Sequence, residues 1–191
     1  MAMPVKRLKP GSNTLTAATL IALAGCGAAP DNHSQGGPIV DNATLAKLDL
    51  TSTVFQNGQA IPAQYSCDGA DRPPPLAWGE PPAGTKSFAL VVDDPDAPNS
   101  TFRHWGAYNI PASARSLAGS FDEAVNDFGK PGYGGPCPPE GHGPHHYHFK
   151  LFALDADRLD LAAGAKVVEV EQQAERHALG RAELIGLYER R

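Results

Sequence analysis

Three stretches of the chain have the residue pattern of central β-strands. The run TKSFALVVDD is almost continuously apolar and rich in β-branched and aromatic residues, which is typical of a strand covered on both faces. Phe102–Pro111, FRHWGAYNIP, predicts a second strand that ends at its proline. In HHYHFKLFALD, every second residue from His145 to Ala153 shares one face, and His146, His148 and Lys150 share the other. We therefore expect a sheet built around these three segments.

The segments on either side of these strands are less regular. LDLTSTVFQNGQAIP predicts a strand that turns at Asn57-Gly58. YSCDGADRPPPLAWGEPPAG has too many prolines for the interior of a sheet, so we expect an ordered surface loop that Trp78 attaches to the core. A short helical turn is expected near 122–125.

The C-terminal part predicts one helix and a last strand. Apolar residues recur at helical spacing in VVEVEQQAERHALG, and Gly180 is the expected helix stop. AELIGLYERR then predicts a terminal strand. Many strands with one late helix favour a mainly β fold, a β-sandwich with a peripheral helix, over a parallel α/β fold.

The first residues have the pattern of a secretory signal. Lys6, Arg7 and Lys9 precede a short apolar stretch that ends in LAGC, which resembles a lipoprotein processing site with Cys26 as the lipidated residue. We expect a signal peptide at 1–25, a flexible tether at 26–47 that is rich in small residues, and a folded domain at 48–191. A conventional secreted protein cleaved nearby is the alternative. Both place the domain outside the cytoplasm, and the lipoprotein reaches the membrane only through its lipid anchor.

The charge of the chain bears on its binding partners, and its cysteines bear on the cellular compartment. The chain has 16 Lys and Arg against 21 Asp and Glu, with a net charge of −5, which argues against nucleic acid as a partner. Beyond Cys26, the chain has two cysteines, Cys67 and Cys137, both in loops rich in Gly and Pro. In an oxidising compartment they are a candidate disulfide, and two separately buried thiols are the alternative.

Polar residues at the ends of the predicted strands are candidates for a site. Asp94 follows FALVV, His104 begins the second strand, and GPCPPEGHGPHHY leads into His145 and Tyr147 on the inner face. A metal site would need His104, His145 and an aspartate to converge, and a catalytic site would pair Asp94 with a histidine but lacks a recognisable nucleophile. Glycine amides, stiff prolines and imidazoles favour a small preformed anion pocket, without metal or cofactor.

Together these fragments closely resemble the phosphatidylethanolamine-binding protein family, in its bacterial Raf-kinase-inhibitor-like branch. The resemblance is carried by YSCDG, PPLAW, DDPDAP, HWGAYNIP, GYGGPCPPEGHGPHHYHFKLFALD and LIGLYER, in that order. It implies a β-sandwich of Greek-key-type antiparallel sheets with one or two peripheral helices. It also implies an anion pocket at one end, formed by Asp94, His104, Gly135, Pro138, Pro139, His145 and Tyr147. The family usually has His-Arg-Tyr where this chain has His146, which strand alternation turns away from the pocket.

The function expected from these features is non-enzymatic binding of phosphate or a phosphorylated headgroup. A protease inhibitor or modulator of a protein partner is the main alternative, and a phosphoester hydrolase is the second. Because the domain lies outside the cytoplasm, a cytosolic kinase is not an expected partner. The resemblance also implies a homodimer as one option, since dimers are known among bacterial members of the family.

Overall fold

The computed structural model describes residues 45–191. The predicted signal peptide, Cys26 and most of the predicted tether therefore lie outside the described residues and stay predictions. No helix within 45–191 combines the length and the apolar character needed to cross a membrane.

The described chain contains nine strands, one α-helix and a short 3-10 helix at Ala63–Tyr65. The first four strands are short: β1 Ala46–Lys47, β2 Leu50–Ser52, β3 Gln59–Ala60 and β4 Leu76–Trp78. The remaining elements are β5 Ser87–Asp94, β6 Phe102–Pro111, β7 Asp122–Glu123, β8 His145–Leu154, α1 Val167–His177 and β9 Ala178–Tyr188. The fold is mainly β, as the sequence predicts.

A seven-stranded sheet forms the main layer, in the order β1-β9-β8-β5-β6-β7, with β3 also paired to β9. Strands β5, β6, β7, β8 and β9 pair antiparallel, whereas β1 and β3 run parallel to β9. Strands β2 and β4 form a separate two-stranded antiparallel sheet. The predicted β-sandwich is confirmed, and its second sheet is small.

Two hydrophobic cores lie on opposite faces of the large sheet. In β5, Phe88 and Leu90 face the core that also contains Trp78 of β4. The intervening Val91 faces a second core together with Val167 of α1. All eight residues of β5 are buried, which explains the unbroken apolar run in the sequence.

Three details differ from the sequence-based predictions. Asp122–Glu123 form strand β7 instead of a helical turn, because they pair with Ala107 and Tyr108 of β6. The proline-rich segment contains strand β4, although it is otherwise a loop and Trp78 is buried as expected. Helix α1 ends at His177, and Gly180 lies within β9, so Gly180 is not the helix stop.

Four charged residues join the large sheet to α1 beneath the second core. The Nζ atom of Lys150 donates to the carboxylate of Asp93 and lies 3.1 Å from Oε1 of Glu171. Arg103 contacts Oε2 of Glu171 through Nη2 at 2.9 Å. Burial alone lowers the pKa of Lys150, but the hydrogen bond to Asp93 and the two carboxylate charges together raise it above its ordinary value. Burial also opposes ionisation of Glu171, yet Lys150 and Arg103 hold its pKa below the usual range. Burial raises the pKa of Asp93 and outweighs the opposing effect of Lys150, so Asp93 is the carboxylate of the cluster that depends most on its cation.

Candidate functional site

Neighbouring strands bring three of the predicted site residues to one end of the large sheet. Asp94 is the last residue of β5, His145 is the first residue of β8, and His104 lies near the start of β6. Since β5 pairs antiparallel with both β6 and β8, these positions meet at the same edge. Each of the three residues is buried, with at most 3% of its surface exposed.

Asp94 and His145 form a direct hydrogen bond. Nδ1 of His145 lies 2.7 Å from Oδ2 of Asp94, so His145 donates from Nδ1 to the carboxylate. The other carboxylate oxygen of Asp94 accepts from the backbone N–H of Asp96 at 2.9 Å. On its far side, Nε2 of His145 lies 3.0 Å from Nδ1 of His142. Asp94, His145 and His142 therefore form a continuous hydrogen-bonded chain from the buried strand to the surface loop.

His104 is surrounded by aromatic rings. Its Nδ1 lies 2.8 Å from the carbonyl oxygen of Gly134. Its ring packs edge-on against Phe102, Phe128 and Tyr147, with centroid distances of 5.1, 5.4 and 5.2 Å. Burial lowers the pKa of His104 below its ordinary value and outweighs the opposing effects of the Gly134 carbonyl and Asp94. His104 is therefore a neutral imidazole at neutral pH.

A cleft of about 190 Å³ opens at this edge of the sheet. Its wall contains five of the predicted residues, namely Asp94, His104, Pro138, Pro139 and His145. The other wall residues are Ala97, Pro98, Phe102, Phe128 and Cys137. Such a concave site has the form of a small-molecule pocket.

Gly135 does not line the cleft, contrary to the expectation that its amide would contact a ligand. Its N–H donates to Oδ1 of Asp71 at 2.6 Å. A Cβ atom at this position would lie 2.5 Å from the carbonyl oxygen of Tyr65 and 2.8 Å from Cα of Ser66. Glycine is needed here because two loops approach closely, and its amide is already used.

We expect Gly135→Ala to lower the free energy of unfolding by about 1–3 kcal/mol, because the added methyl group must push two backbone segments apart. Urea denaturation measures this change. Gly79→Ala is the matched control, since nothing lies within 4 Å of a Cβ atom there. Equal stability of the two variants would contradict the close-approach explanation.

Tyr147 also lies outside the cleft wall, although strand alternation turns it inward as predicted. Its side chain is fully buried, and its hydroxyl has no hydrogen-bond partner among the described residues. Burial and the nearby Asp94 raise the pKa of Tyr147 well above its ordinary value, so the hydroxyl keeps its proton. The Cys137 backbone and the Asp94 carboxylate, both in the cleft wall, are polar neighbours of this hydroxyl.

The outer histidines take no part in the cleft. His146 is about half exposed, and both its backbone N–H and its Nδ1 contact Oδ2 of Asp96, at 2.8 and 2.7 Å. The side-chain hydrogen bond from His146, more than the backbone one, holds the pKa of Asp96 below its usual range. His148 lies 3.0 Å from Oε1 of Glu183 on β9. Asp96 therefore attaches the loop after β5 to the start of β8, which fixes the position of Asp94.

Cys67 and Cys137 are joined by a disulfide bond, with their Cα atoms 5.5 Å apart. Cys137 is itself part of the cleft wall. The same two loops are also connected by the Tyr133 hydroxyl, which donates to the Tyr65 carbonyl at 2.7 Å. The disulfide thus holds the part of the cleft wall that contains Cys137 against the loop that contains Cys67.

The sequence-based reasoning missed several members of this site. Phe102 lies two residues before His104 on the same strand, so the period of two would have placed it on the same face. Phe128 and His142 lie in loops, where no periodicity indicates direction. Phe128 is 46% exposed and is one of only two large apolar side chains so exposed among residues 45–191.

The metal alternative depends on the arrangement of possible ligand side chains. Within residues 45–191, no group of three or more His, Cys, Asp and Glu side chains is arranged to hold a metal ion.

Comparison with known proteins gives a consistent result. The sequence profile of the family described as phosphatidylethanolamine-binding protein matches residues 51–189. A UPF0098 protein of Aquifex aeolicus is 47% identical over 154 residues, which cover 76% of this chain and 90% of that protein. A Mycobacterium tuberculosis protein, LppC, named as a candidate lipoprotein, is 38% identical over 187 residues, covering 90% of this chain and 92% of LppC.

A solved structure has the same fold. The crystal structure of E. coli YbcL, described as a member of the mammalian PEBP family, superposes with a TM-score of 0.72 at 33% identity. The match covers 76% of this chain and all of the YbcL chain. The family profile, the relatives and the fold agree, and the chain belongs to the phosphatidylethanolamine-binding protein family.

Proposed function

We propose that the protein binds a small phosphorylated group in the cleft between Asp94, His104 and His145. The observation that carries this proposal is the buried Asp94–His145 pair, 2.7 Å apart, in the wall of an open cleft. Asp94 orients the His145 imidazole, and an anion that enters the cleft would meet this ring next to His142, whose Nδ1 lies 3.0 Å from Nε2 of His145. The phosphate-containing ligand in the family name agrees with this chemistry.

The remaining features of the cleft suit binding without large rearrangement. Pro98, Pro138 and Pro139 stiffen its rim, so little conformational entropy is lost when a ligand enters. Phe128 offers an apolar surface at the mouth for the group that carries the phosphate.

The same proposal includes a position outside the cytoplasm, with Cys26 as the lipidated residue. Support comes from the relative named as a candidate lipoprotein and from the disulfide, which forms and persists in oxidising compartments. Anchoring through Cys26 would hold the domain near a membrane surface by the tether alone.

His145→Ala tests the ligand assignment. We expect the affinity for phosphoethanolamine, measured by isothermal titration calorimetry on the full-length protein, to fall about tenfold, because removing one hydrogen-bond partner of a charged ligand costs about 1–3 kcal/mol. His148→Ala is the matched control, since His148 is another histidine of β8 bonded to a carboxylate but faces away from the cleft. A folded His145→Ala protein with unchanged affinity would count against the proposal.

Phosphoester hydrolysis is the second candidate. The observation in its favour is that an aspartate bonded to Nδ1 of a histidine is also the arrangement of a general base. Steady turnover of an aryl phosphate that is lost in Asp94→Asn would favour hydrolysis over simple binding. No turnover, together with saturable phosphoethanolamine binding, would favour the binding function.

A further inference from the structure

Two histidines stand on the outer face of β8, away from the cleft. His146 and His148 are two residues apart in the strand, so their side chains share one face and start about 6–7 Å apart. The side chain of His146 is 52% exposed and that of His148 is 23% exposed. A small ion from solvent can therefore reach both imidazoles.

Each imidazole is held by a carboxylate through the same ring nitrogen. Nδ1 of His146 lies 2.7 Å from Oδ2 of Asp96, and Nδ1 of His148 lies 3.0 Å from Oε1 of Glu183. An ionised carboxylate can only accept a hydrogen bond, so Nδ1 of each ring carries the proton. In a neutral imidazole of this tautomer, Nε2 is a lone pair that can bind a metal ion.

The two carboxylates lie on opposite sides of β8. Asp96 belongs to the loop after β5, Glu183 belongs to β9, and β8 lies between β5 and β9 in the sheet. Nδ1 and Nε2 are on different edges of an imidazole ring. Drawing the two Nδ1 atoms apart therefore favours an arrangement in which the two Nε2 atoms face the space between the rings.

This combination of contacts is the one found around metal-bound histidines. A coordinating imidazole usually donates its other ring N–H to a carboxylate or carbonyl, which orients the ring and makes the coordinating nitrogen more basic. Both rings of this pair have such a carboxylate. A single ion about 2.0–2.1 Å from each Nε2 can join two side chains at this spacing when the rings incline toward it.

We propose that His146 and His148 bind a divalent transition-metal ion of the Zn²⁺, Cu²⁺ and Ni²⁺ class, with Nε2 of each ring as a ligand. Imidazole nitrogen suits these ions, whereas Mg²⁺ and Ca²⁺ take oxygen ligands. The site lies outside the cleft and does not depend on the proposed function.

The site supplies two protein ligands. Within residues 45–191, no three or more His, Cys, Asp and Glu side chains are arranged around a common ion position. Two positions of a tetrahedral ion are therefore open to water or to a ligand from another molecule.

The charges around the two rings suit a cation. Asp96 has no Lys or Arg within ion-pair distance among residues 45–191, and Arg181 lies 3.5 Å from Oε1 of Glu183, which offsets part of that charge. Lys150, the next residue on this face of β8, is already paired with the carboxylate of Asp93. The immediate surroundings therefore keep a negative charge that favours a divalent cation.

Isothermal titration calorimetry of the full-length protein with zinc chloride tests the site. We expect saturable binding by the wild-type protein, and an affinity at least tenfold lower in His146→Arg and in His148→Ala, because each change removes one of the two ligands. Arginine is the usual residue of the family at position 146, so His146→Arg is the variant expected to fold without disturbance.

His177→Ala is the matched control. Nδ1 of His177 also lies 2.8 Å from a carboxylate oxygen, that of Asp155, and its side chain is 42% exposed, but no second histidine lies beside it in the sequence. We expect its zinc affinity to equal that of the wild-type protein. Unchanged zinc affinity in His146→Arg, or no saturable binding by the wild-type protein, would overturn the inference. Both results would leave the proposed function intact, since neither His146 nor His148 lines the cleft.

Glu183→Gln tests the role of the carboxylate behind His148. Glutamine keeps the length of the side chain and an acceptor for Nδ1, but it removes the negative charge. We expect the zinc affinity to fall about tenfold, the size typical of losing a partner of a metal-bound histidine. An unchanged affinity would contradict coordination by His148.

Nitrogen-15 NMR of the imidazoles locates the ion in the wild-type protein. Zinc should shift the Nε2 resonances of His146 and His148 and leave Nδ1 of both rings protonated. A shift of the His142 and His145 rings instead would place the ion at the cleft and overturn the inference.

Discussion

Replacement of both Cys67 and Cys137 by serine is expected to lower the free energy of unfolding by about 4 kcal/mol. The disulfide closes a loop of 70 residues, and removing it returns a large conformational entropy to the unfolded chain. For a chain of this length, that loss corresponds to a melting temperature lower by about 10 °C. Urea denaturation and thermal unfolding followed by circular dichroism measure the two quantities.

The folded structure itself should survive this change. The Tyr133–Tyr65 and Gly135–Asp71 hydrogen bonds still join the two loops when the sulfur atoms are no longer bonded. Reduction of the wild-type protein by dithiothreitol is the matched comparison and should give the same loss of stability as the double serine variant. A loss below about 1 kcal/mol would show that the loops are already held together in the denatured ensemble.

Lys150→Met is expected to lower the free energy of unfolding by about 3–5 kcal/mol, because it leaves the buried carboxylate of Asp93 without its cation. The side chain of Asp93 is 2% exposed and that of Lys150 is 16% exposed, so water cannot replace the lost partner. Arg103 still contacts Glu171, so we expect the loss of stability to come from Asp93 alone. Urea denaturation at neutral pH measures the change.

Two variants separate this effect from a general loss of charge. Lys86→Met removes another lysine that is paired with a carboxylate, Asp157 at 3.9 Å, but both side chains are mostly exposed, so its effect should stay below about 1 kcal/mol. Adding Asp93→Asn to Lys150→Met should restore part of the lost stability, because the unpaired charge is gone. If the double variant is less stable than Lys150→Met alone, the cost does not come from the buried charge.

The parts of the fold that the sequence predicts correctly are those with strong local patterns. Strand β6 has the predicted bounds, Phe102–Pro111, and β5 and β8 match their apolar runs. The face that carries Tyr147 is likewise the inward one. In these segments, the hydrophobic pattern of the sequence matches the burial observed in the structure. The strand conformation can therefore be predicted from the segment itself.

The parts that differ depend on contacts far along the chain. Glu123 belongs to a strand because β6 lies beside it and because its Oε1 accepts from Nε1 of Trp105 at 2.9 Å. Gly180 is a strand residue whose small size admits the carbonyl of Ala46, 2.9 Å from where a Cβ atom would lie. Both partners lie far from these residues in sequence. A prediction from neighbouring residues therefore follows the local turn and helix-stop signals.

The residues of the candidate site likewise fall into a group that the sequence predicts and a group that it does not. Asp94, His104 and His145 are at strand ends, and pairing of adjacent strands is enough to bring them together. His142 and Phe128 are positioned by loops, and the involvement of the Gly135 amide with Asp71 depends on a contact 64 residues away. The sequence pattern can therefore predict which strand ends border the cleft. The hydrogen-bond partners of the loop residues depend on contacts that are distant in sequence, so the pattern does not predict them.

Consecutive aspartates at the end of β5 belong to different layers of the molecule. Asp93 binds Lys150 on the side of α1, whereas Asp94 binds His145 at the cleft. If β5 slipped by one residue, each carboxylate would arrive in the other's environment, since the side-chain period is two. Hydrophobic burial alone would tolerate such an error at this strand, whose residues are apolar on both faces. The different partners of these two neighbouring carboxylates thus fix the register of β5 at the end of the strand that borders the cleft.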